Sequence, residues 1–169
     1  MGTKRIGLAR VQALIENLKR EINLKGSTIA FRKPASAPEG LGTQLTADET
    51  GGFFFMDASS ANTITLPAIG DLSTSQGWHV KVILTATGAA GIVQTSSTED
   101  KIMGQVAVID ADGSAIAVTN DANADTITFV NGCLAGAWVD INCDGDLFYV
   151  HGFGTHATVS NKLTLTKAD

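Results

Sequence analysis

The side chains in this sequence that could do chemistry are few and scattered. Its three histidines are His79, His151 and His156. His79 and His151 fall inside strand-like runs beside Trp78 and Tyr149, where a lone histidine reads as structural. Serine, histidine and aspartate all occur, but no Gly-x-Ser-x-Gly turn is present to expose a nucleophile. No Gly-x-x-x-x-Gly-Lys loop is there to cradle phosphate, and no strand-to-helix unit to carry a dinucleotide fingerprint. The sequence therefore predicts no enzyme and no cofactor.

The acidic turns come nearest to a metal motif. Asp121-Ala-Asn-Ala-Asp125 matches the first three ligand positions of a calcium loop, then places Thr126 where glycine is needed and Gly132 where the bidentate glutamate belongs. Asp110 and Asp112, with Asp144 and Asp146, are read as solvated turn carboxylates closing Asx turns. Cys133 and Cys143 could pair across a hairpin, but two buried thiols in a reducing compartment are expected. Two cysteines without clustered histidines cannot complete a structural zinc site, so no metal is predicted.

Whatever these residues do, two different kinds of element must carry them. From Gly7 to Leu24 the apolar residues Leu8, Val11, Ile15, Leu18 and Ile22 recur at alternating spacings of three and four. That is the stripe of an amphipathic helix with a heptad seam. Lys25-Gly26 supplies a base near the negative helix end, then a residue free to turn. A helix of about four turns is marginal alone in water, so the stripe must be buried against a partner surface. Self-association is favoured, because residues 27–47, with Pro34, Pro38, Gly40 and Gly42, read as an extended linker that distances the helix from the rest.

After residue 50 the apolar period changes to two. Strands are predicted at Gly52–Asp57, Asn62–Leu66, Trp78–Thr87, Ile92–Thr95, Lys101–Val108, Ser114–Thr119, Thr126–Asn131, Ala137–Cys143, Leu147–Phe153 and Lys162–Thr166. Asp110-Ala-Asp-Gly113 and Asn142-Cys-Asp-Gly-Asp146 are natural hairpin turns. The predicted organisation is a helical arm at 1–26, the linker at 27–47 and a body at 48–169. The fold class is mainly β, an antiparallel, jelly-roll-like β-sandwich with a short N-terminal helical arm. A weak internal echo runs through it. Asn62-Thr-Ile-Thr leads to Gly77-Trp-His-Val-Lys-Val82, as Asp125-Thr-Ile-Thr leads to Gly136-Ala-Trp-Val-Asp-Ile141. Phe53-Phe-Phe55 alternates between two faces and is read as burial at a sheet or subunit contact.

Composition agrees with this division. Eighteen glycines, 19 threonines and 22 alanines in 169 residues fit turns and small side chains on sheets, and 44% hydrophobic residues exclude a disordered chain. The longest apolar runs are strand-sized, which argues against a membrane span, and no signal-peptide run follows the basic start. The net charge of −5 conceals an asymmetry. Residues 1–33 hold eight of the twelve basic residues against Glu16 and Glu21, a net +6, while the remainder carries −11. Direct nucleic-acid binding is not expected of so acidic a body. The basic arm, including Arg5, Arg10 and Lys19, should seek a negatively charged partner surface.

Thr63-Ile-Thr-Leu-Pro67, Gly77-x-x-Val-x-Val82, Ile102-x-Gly104, Asp125-Thr-Ile-Thr-Phe129 and Gly136-x-Trp-Val-x-Ile141 run in one order, ending in Cys143-Asp-Gly-Asp-Leu-Phe-Tyr-Val-x-Gly152. Over residues 48–153 this series resembles a β-domain of tailed-bacteriophage virion proteins, chiefly capsid decoration (cement) proteins and some tail-fibre modules. The final block is the most specific part. The resemblance implies a non-enzymatic homotrimer, made in the host cytoplasm, that sits on the assembled capsid and binds the major capsid protein. The arm residues Leu8, Val11, Ile15, Leu18, Ile22, Arg5, Arg10 and Lys19 are the expected assembly contacts. A receptor-binding or tail-fibre module is the alternative, and a calcium- or carbohydrate-binding sandwich of cellular origin is a third reading.

Overall fold

Alternating apolar residues in the body need two layers to hide between, and two layers form. The computed structural model describes residues 31–32, 43–72, 77–86, 88–96, 101–110, 112–113, 116–156 and 163–167. Strands dominate them: β1 (Phe31–Arg32), β2 (Thr43–Gln44), β3 (Gly52–Asp57), β4 (Asn62–Thr65), β5 (Trp78–Ala86), β6 (Gly91–Gln94), β7 (Ile102–Asp110), β8 (Ile116–Ala124), β9 (Thr126–Phe129), β10 (Trp138–Cys143), β11 (Phe148–His156) and β12 (Leu163–Thr166). One helical turn, α1 (Ile69–Leu72), and a 3-10 turn at Ala47–Glu49 complete the list. The ten expected strands are all present, most within two residues of their predicted ends. The arm residues Leu8, Val11, Ile15, Leu18, Ile22, Arg5, Arg10 and Lys19 lie outside the described residues.

A seven-stranded sheet runs β1-β3-β5-β10-β11-β7-β8, and a five-stranded sheet runs β12-β9-β6-β4-β2. Their inward residues form one hydrophobic core: Phe54, Met56, Trp78, Val80, Val82, Val139, Ile141, Phe148 and Val150 from the first, Ile64, Val93, Ile127, Phe129, Leu163 and Leu165 from the second. The layers approach closely where Met56 of β3 lies over Gly91 of β6, so that a methyl group on Gly91 would collide with the Met56 sulfur.

The pairing corrects the expectation of antiparallel strands throughout. β1, β3 and β5 are parallel neighbours, and so are β2, β4 and β6 in the other sheet; β7 and β11 are also parallel. The physical reason is the path of the chain. From β1 to β6 it alternates between sheets, so each strand returns to its own layer in the same direction after one strand in the opposite layer. Parallel pairing needs such a crossover, and here the crossover is itself a strand. Antiparallel pairs join β5 to β10, β10 to β11, β7 to β8, β6 to β9 and β9 to β12.

Two further findings concern the stretch expected to be a linker. β1 and β2 lie within residues 27–47, and Leu45 is buried in the core, so parts of that stretch belong to the sheets. The candidate calcium segment is not a loop. Asp121–Ala124 continues β8, and Asp125 is buried, its carboxylate accepting a hydrogen bond from the Thr126 hydroxyl at 2.9 Å.

The internal echo has a structural counterpart. β4 and β9 both flank β6, while β5 and β10 are paired at the centre of the other sheet. The inward residues Trp78, Val80, Val82 and Leu84 correspond to Ala137, Val139, Ile141 and Cys143, but Trp138 is offset by one position from Trp78. An offset of one reverses the face, so Trp78 is core and Trp138 points outward.

Candidate functional site

The outward faces of the two sheets differ in chemistry. On the five-stranded sheet, Thr63, Thr65, Ile92, Gln94, Thr126, Thr128, Thr164 and Thr166 alternate with the core residues, an ordinary polar, β-branched exterior. The seven-stranded sheet carries two adjoining zones, one apolar and one polar.

The apolar zone follows the strand register. Phe55, Ile83, Trp138, Phe153, Ala107 and Val118 stand in one row across β3, β5, β10, β11, β7 and β8, and Ile109 and Ile116 extend it at the β8 edge. Ile116, Val118 and Phe153 are 66%, 59% and 36% exposed. Large contiguous apolar patches are uncommon on the surfaces of soluble monomers. Of the expected triple-phenylalanine contact, Phe54 is core, while Phe53 and Phe55 are half-buried on the outer face.

One step along the strands lies the polar zone. Phe53, Lys81, Asp140 and His151 form a cross-strand row, and His79, Asn142 and Tyr149 form the next. Gly51, Gly52, Phe53, His79, Lys81, Asp140, Asn142 and His151 line a cleft of about 470 Å³. The cleft opens where β3 begins. Gly51, whose φ of 79° favours glycine, stands beside His79 and donates its N–H to the His79 carbonyl at 2.7 Å, with no side chain to fill the space.

Several of these side chains are fixed. The Lys81 ammonium lies 3.3 Å from the Asp140 carboxylate and 3.9 Å from the centroid of the Trp138 ring. Both partners are partly exposed, so this pair orients Lys81 more than it stabilises the fold. His79 Nδ1 contacts the Gly77 carbonyl at 3.1 Å; a proton donated there leaves Nε2 as an acceptor. The Asp144 carboxylate beside Tyr149 raises its phenol above the ordinary range. Among the described residues, the side chains of Asn142 and His151 have no hydrogen-bond partner.

Asp144 is the Asx turn expected from the sequence. Its carboxylate accepts from the N–H groups of Leu147 and Asp146 at 2.9 and 2.8 Å, and these bonds, with Tyr149, hold it below the usual carboxylate range. A depressed folded value means stability present above the ordinary carboxylate range and lost as pH falls through the Asp144 value. Asp144→Ala is therefore expected to lower the melting midpoint by a few degrees at pH 7. The gap from wild type should close in strong acid, as scanning calorimetry across pH would show; a gap that persists there would assign the effect to something other than the carboxylate.

The histidines and cysteines correct or support the sequence reading individually. His79 and His151, expected to be structural, are exposed at the cleft. His156 is the structural one: it is buried, and its Nε2 contacts the Asn131 carbonyl at 3.0 Å. Cys133 and Cys143 are both free and buried, in keeping with the expected thiols. Burial pushes the Cys133 thiol up to about 11, far from the range of a reactive cysteine. Burial also raises Cys143.

Sequence patterns alone did not bring the cleft residues together, because β5 and β10 are distant in the chain and only their pairing aligns Lys81 with Asp140. Among the described residues, no three His, Cys, Asp or Glu side chains gather as a metal ion would require. Comparison with known protein families, curated proteins and solved structures finds no match.

Proposed function

We propose that this protein is a structural virion protein, a decoration or cement protein that trimerises and binds the assembled capsid through the major capsid protein. The observation that carries this reading is the apolar row on the outer face of the seven-stranded sheet, a surface whose composition fits contact with another protein. Two sheets around one core are read here as a sandwich body, with the heptad-striped residues 8–22 as its helical arm. The resemblance over residues 48–153 points the same way. A trimer engaging several coat subunits multiplies weak contacts through effective concentration. The arm's net +6 against the body's −11 gives the molecule a basic end for an acidic patch on the coat.

The test is assembly. Sedimentation velocity of the full chain should give three times the mass of one protomer, and the protein should cosediment with purified capsids. Ile15→Asp places a charge in the middle of the heptad stripe and is expected to abolish trimer and capsid association, with the thermal transition of the body retained. A wild-type protein that sediments as a monomer and ignores capsids would overturn the reading. The alternative, a receptor-binding or tail-fibre module, is favoured by one feature, the polar cleft beside the apolar row.

A further inference from the structure

We propose that the cleft formed by the start of β3 and β5, the end of β10 and His151 of β11 is a carbohydrate-binding site for one or two neutral pyranose rings. This goes beyond the structural role proposed above and does not depend on it. A cleft of about 470 Å³ falls within the range of small-ligand sites, roughly 300–1,000 Å³.

The chemistry of the lining selects the ligand class. Lys81 and Asp140 neutralise each other, so the cleft has no surplus charge with which to hold a phosphate or a carboxylate. An apolar ligand would bury the Lys81–Asp140 ion pair, both histidines and the Asn142 amide at the cost of their hydration. A sugar satisfies them. Its ring carries hydroxyls that both donate and accept, and the cleft offers the matching mixture: the Lys81 donor, the Asp140 acceptor, the two-sided Asn142 amide, and His79 and His151. These groups sit at the spacing of the sheet, about 5 Å across strands and roughly 7 Å between successive outward residues along one. Groups so spaced can bracket a six-membered ring and reach hydroxyls on its different sides. Phe53 and Tyr149 flank the array and provide apolar surface for the ring's C–H face.

The cleft is also built to bind without rearrangement. Its polar side chains stand on paired strands, not on loops. Lys81 is held by Asp140 and Trp138, so little of its side-chain freedom remains to be lost. The side chains of Asn142 and His151 bond to no other described residue and are available to a ligand. Gly51, hydrogen-bonded to the His79 carbonyl, puts no side chain into the cleft.

The experiment is saturation-transfer difference NMR on the full chain with glucose, galactose, mannose, N-acetylglucosamine, maltose, lactose and cellobiose, followed by titration of any that bind. At least one saccharide should bind with a Kd in the millimolar range or tighter. Asn142→Ala and His151→Ala occupy exposed strand positions, and each should weaken binding at least tenfold while the melting transition stays within a few degrees of wild type. Asp140→Asn keeps the shape but releases Lys81 and should also weaken it. No binding by any of these sugars, binding that the three variants leave unchanged, or binding of inorganic phosphate alone would each overturn the proposal. Sedimentation of the same samples reads the oligomeric state independently, so failure of the sugar site and failure of the assembly reading are told apart.

Discussion

Gly104→Ala is expected to destabilise the body by about 4 kcal/mol or more, the severe end of the range for single substitutions. Gly104 lies in β7, between β11 on one side and β8 on the other, at the point where the β7–β8 register shifts. A methyl group built on it would fall onto the Val150 carbonyl oxygen, with the Val150 carbonyl carbon and nitrogen at 2.7 and 2.8 Å. These are backbone atoms and cannot rotate aside. Val150 is itself fixed, buried in the core and paired with Ile141 of β10. Relief requires separating β7 from β11 along a shared edge of nine residue pairs. Since typical domains are stable by only about 5–15 kcal/mol, such a loss leaves little margin. Gly70→Ala is the control, because a methyl there meets nothing within 4 Å. Urea unfolding followed by far-ultraviolet circular dichroism should show Gly70→Ala near wild type and Gly104→Ala strongly shifted. Equal midpoints would mean that β7 and β11 do not approach as closely as described.

That glycine shows which parts of the fold could be read from the sequence. The run Ile102-Met-Gly104-Gln-Val reads plainly as a strand, and the residue types place Ile102, Val106 and Val108 inside. Period-two alternation is a local property, fixed by where each side chain points, so all ten strands after residue 50 are legible. The partner of a strand is not local. Nothing in Gly52–Asp57 distinguishes a strand that pairs parallel with β5 from one that turns back in a hairpin, and turn residues between strands favour the hairpin. The winding of β1 to β6 between two layers was hidden for this reason. β1 and β2 were hidden for another: strands of two residues contain no alternation, and the surrounding prolines and glycines read as linker.

The cleft was illegible in a different way. His79 and His151 look alike in their surroundings, one next to Trp78 and the other two residues from Tyr149, each within a largely apolar run, and that pattern reads as burial. Alternation gives two faces but not their environments when both carry aromatic residues, as Phe53-Phe-Phe55 and Phe148-Tyr-Val150 do. One signal was present. Lys81, Asp140 and Asn142 occupy strand positions out of phase with unbroken apolar sets, Val80, Val82 and Leu84 on one strand, Val139 and Ile141 on the other. Two strands that share an inward pattern and carry polar residues opposite to it are candidates for a common polar face. The internal echo pairs the same two segments.

Trp78→Ala carries the second large effect and links the core to that face. Trp78 is the largest fully buried side chain, 1% exposed, and meets Phe148 edge-to-face with ring centroids 6.0 Å apart. Removing a buried tryptophan costs about 3–5 kcal/mol from lost transfer and the cavity left behind. Trp78→Phe should cost considerably less. It keeps an aromatic edge against Phe148, and the indole N–H it removes is buried with no hydrogen-bond acceptor among the described residues, so its loss relieves an unmet donor. Denaturant unfolding by circular dichroism would rank the three proteins, and a Trp78→Ala variant within about 1 kcal/mol of wild type would contradict the packing. Because β5 turns Trp78 inward and His79 and Lys81 outward, a void beneath the first residue of the strand loosens the floor of the cleft. Trp78→Ala should accordingly reduce saccharide binding even at temperatures where the body remains folded, whereas Leu165→Ala, a buried truncation on β12 at the edge of the other sheet, should lower stability with binding unchanged.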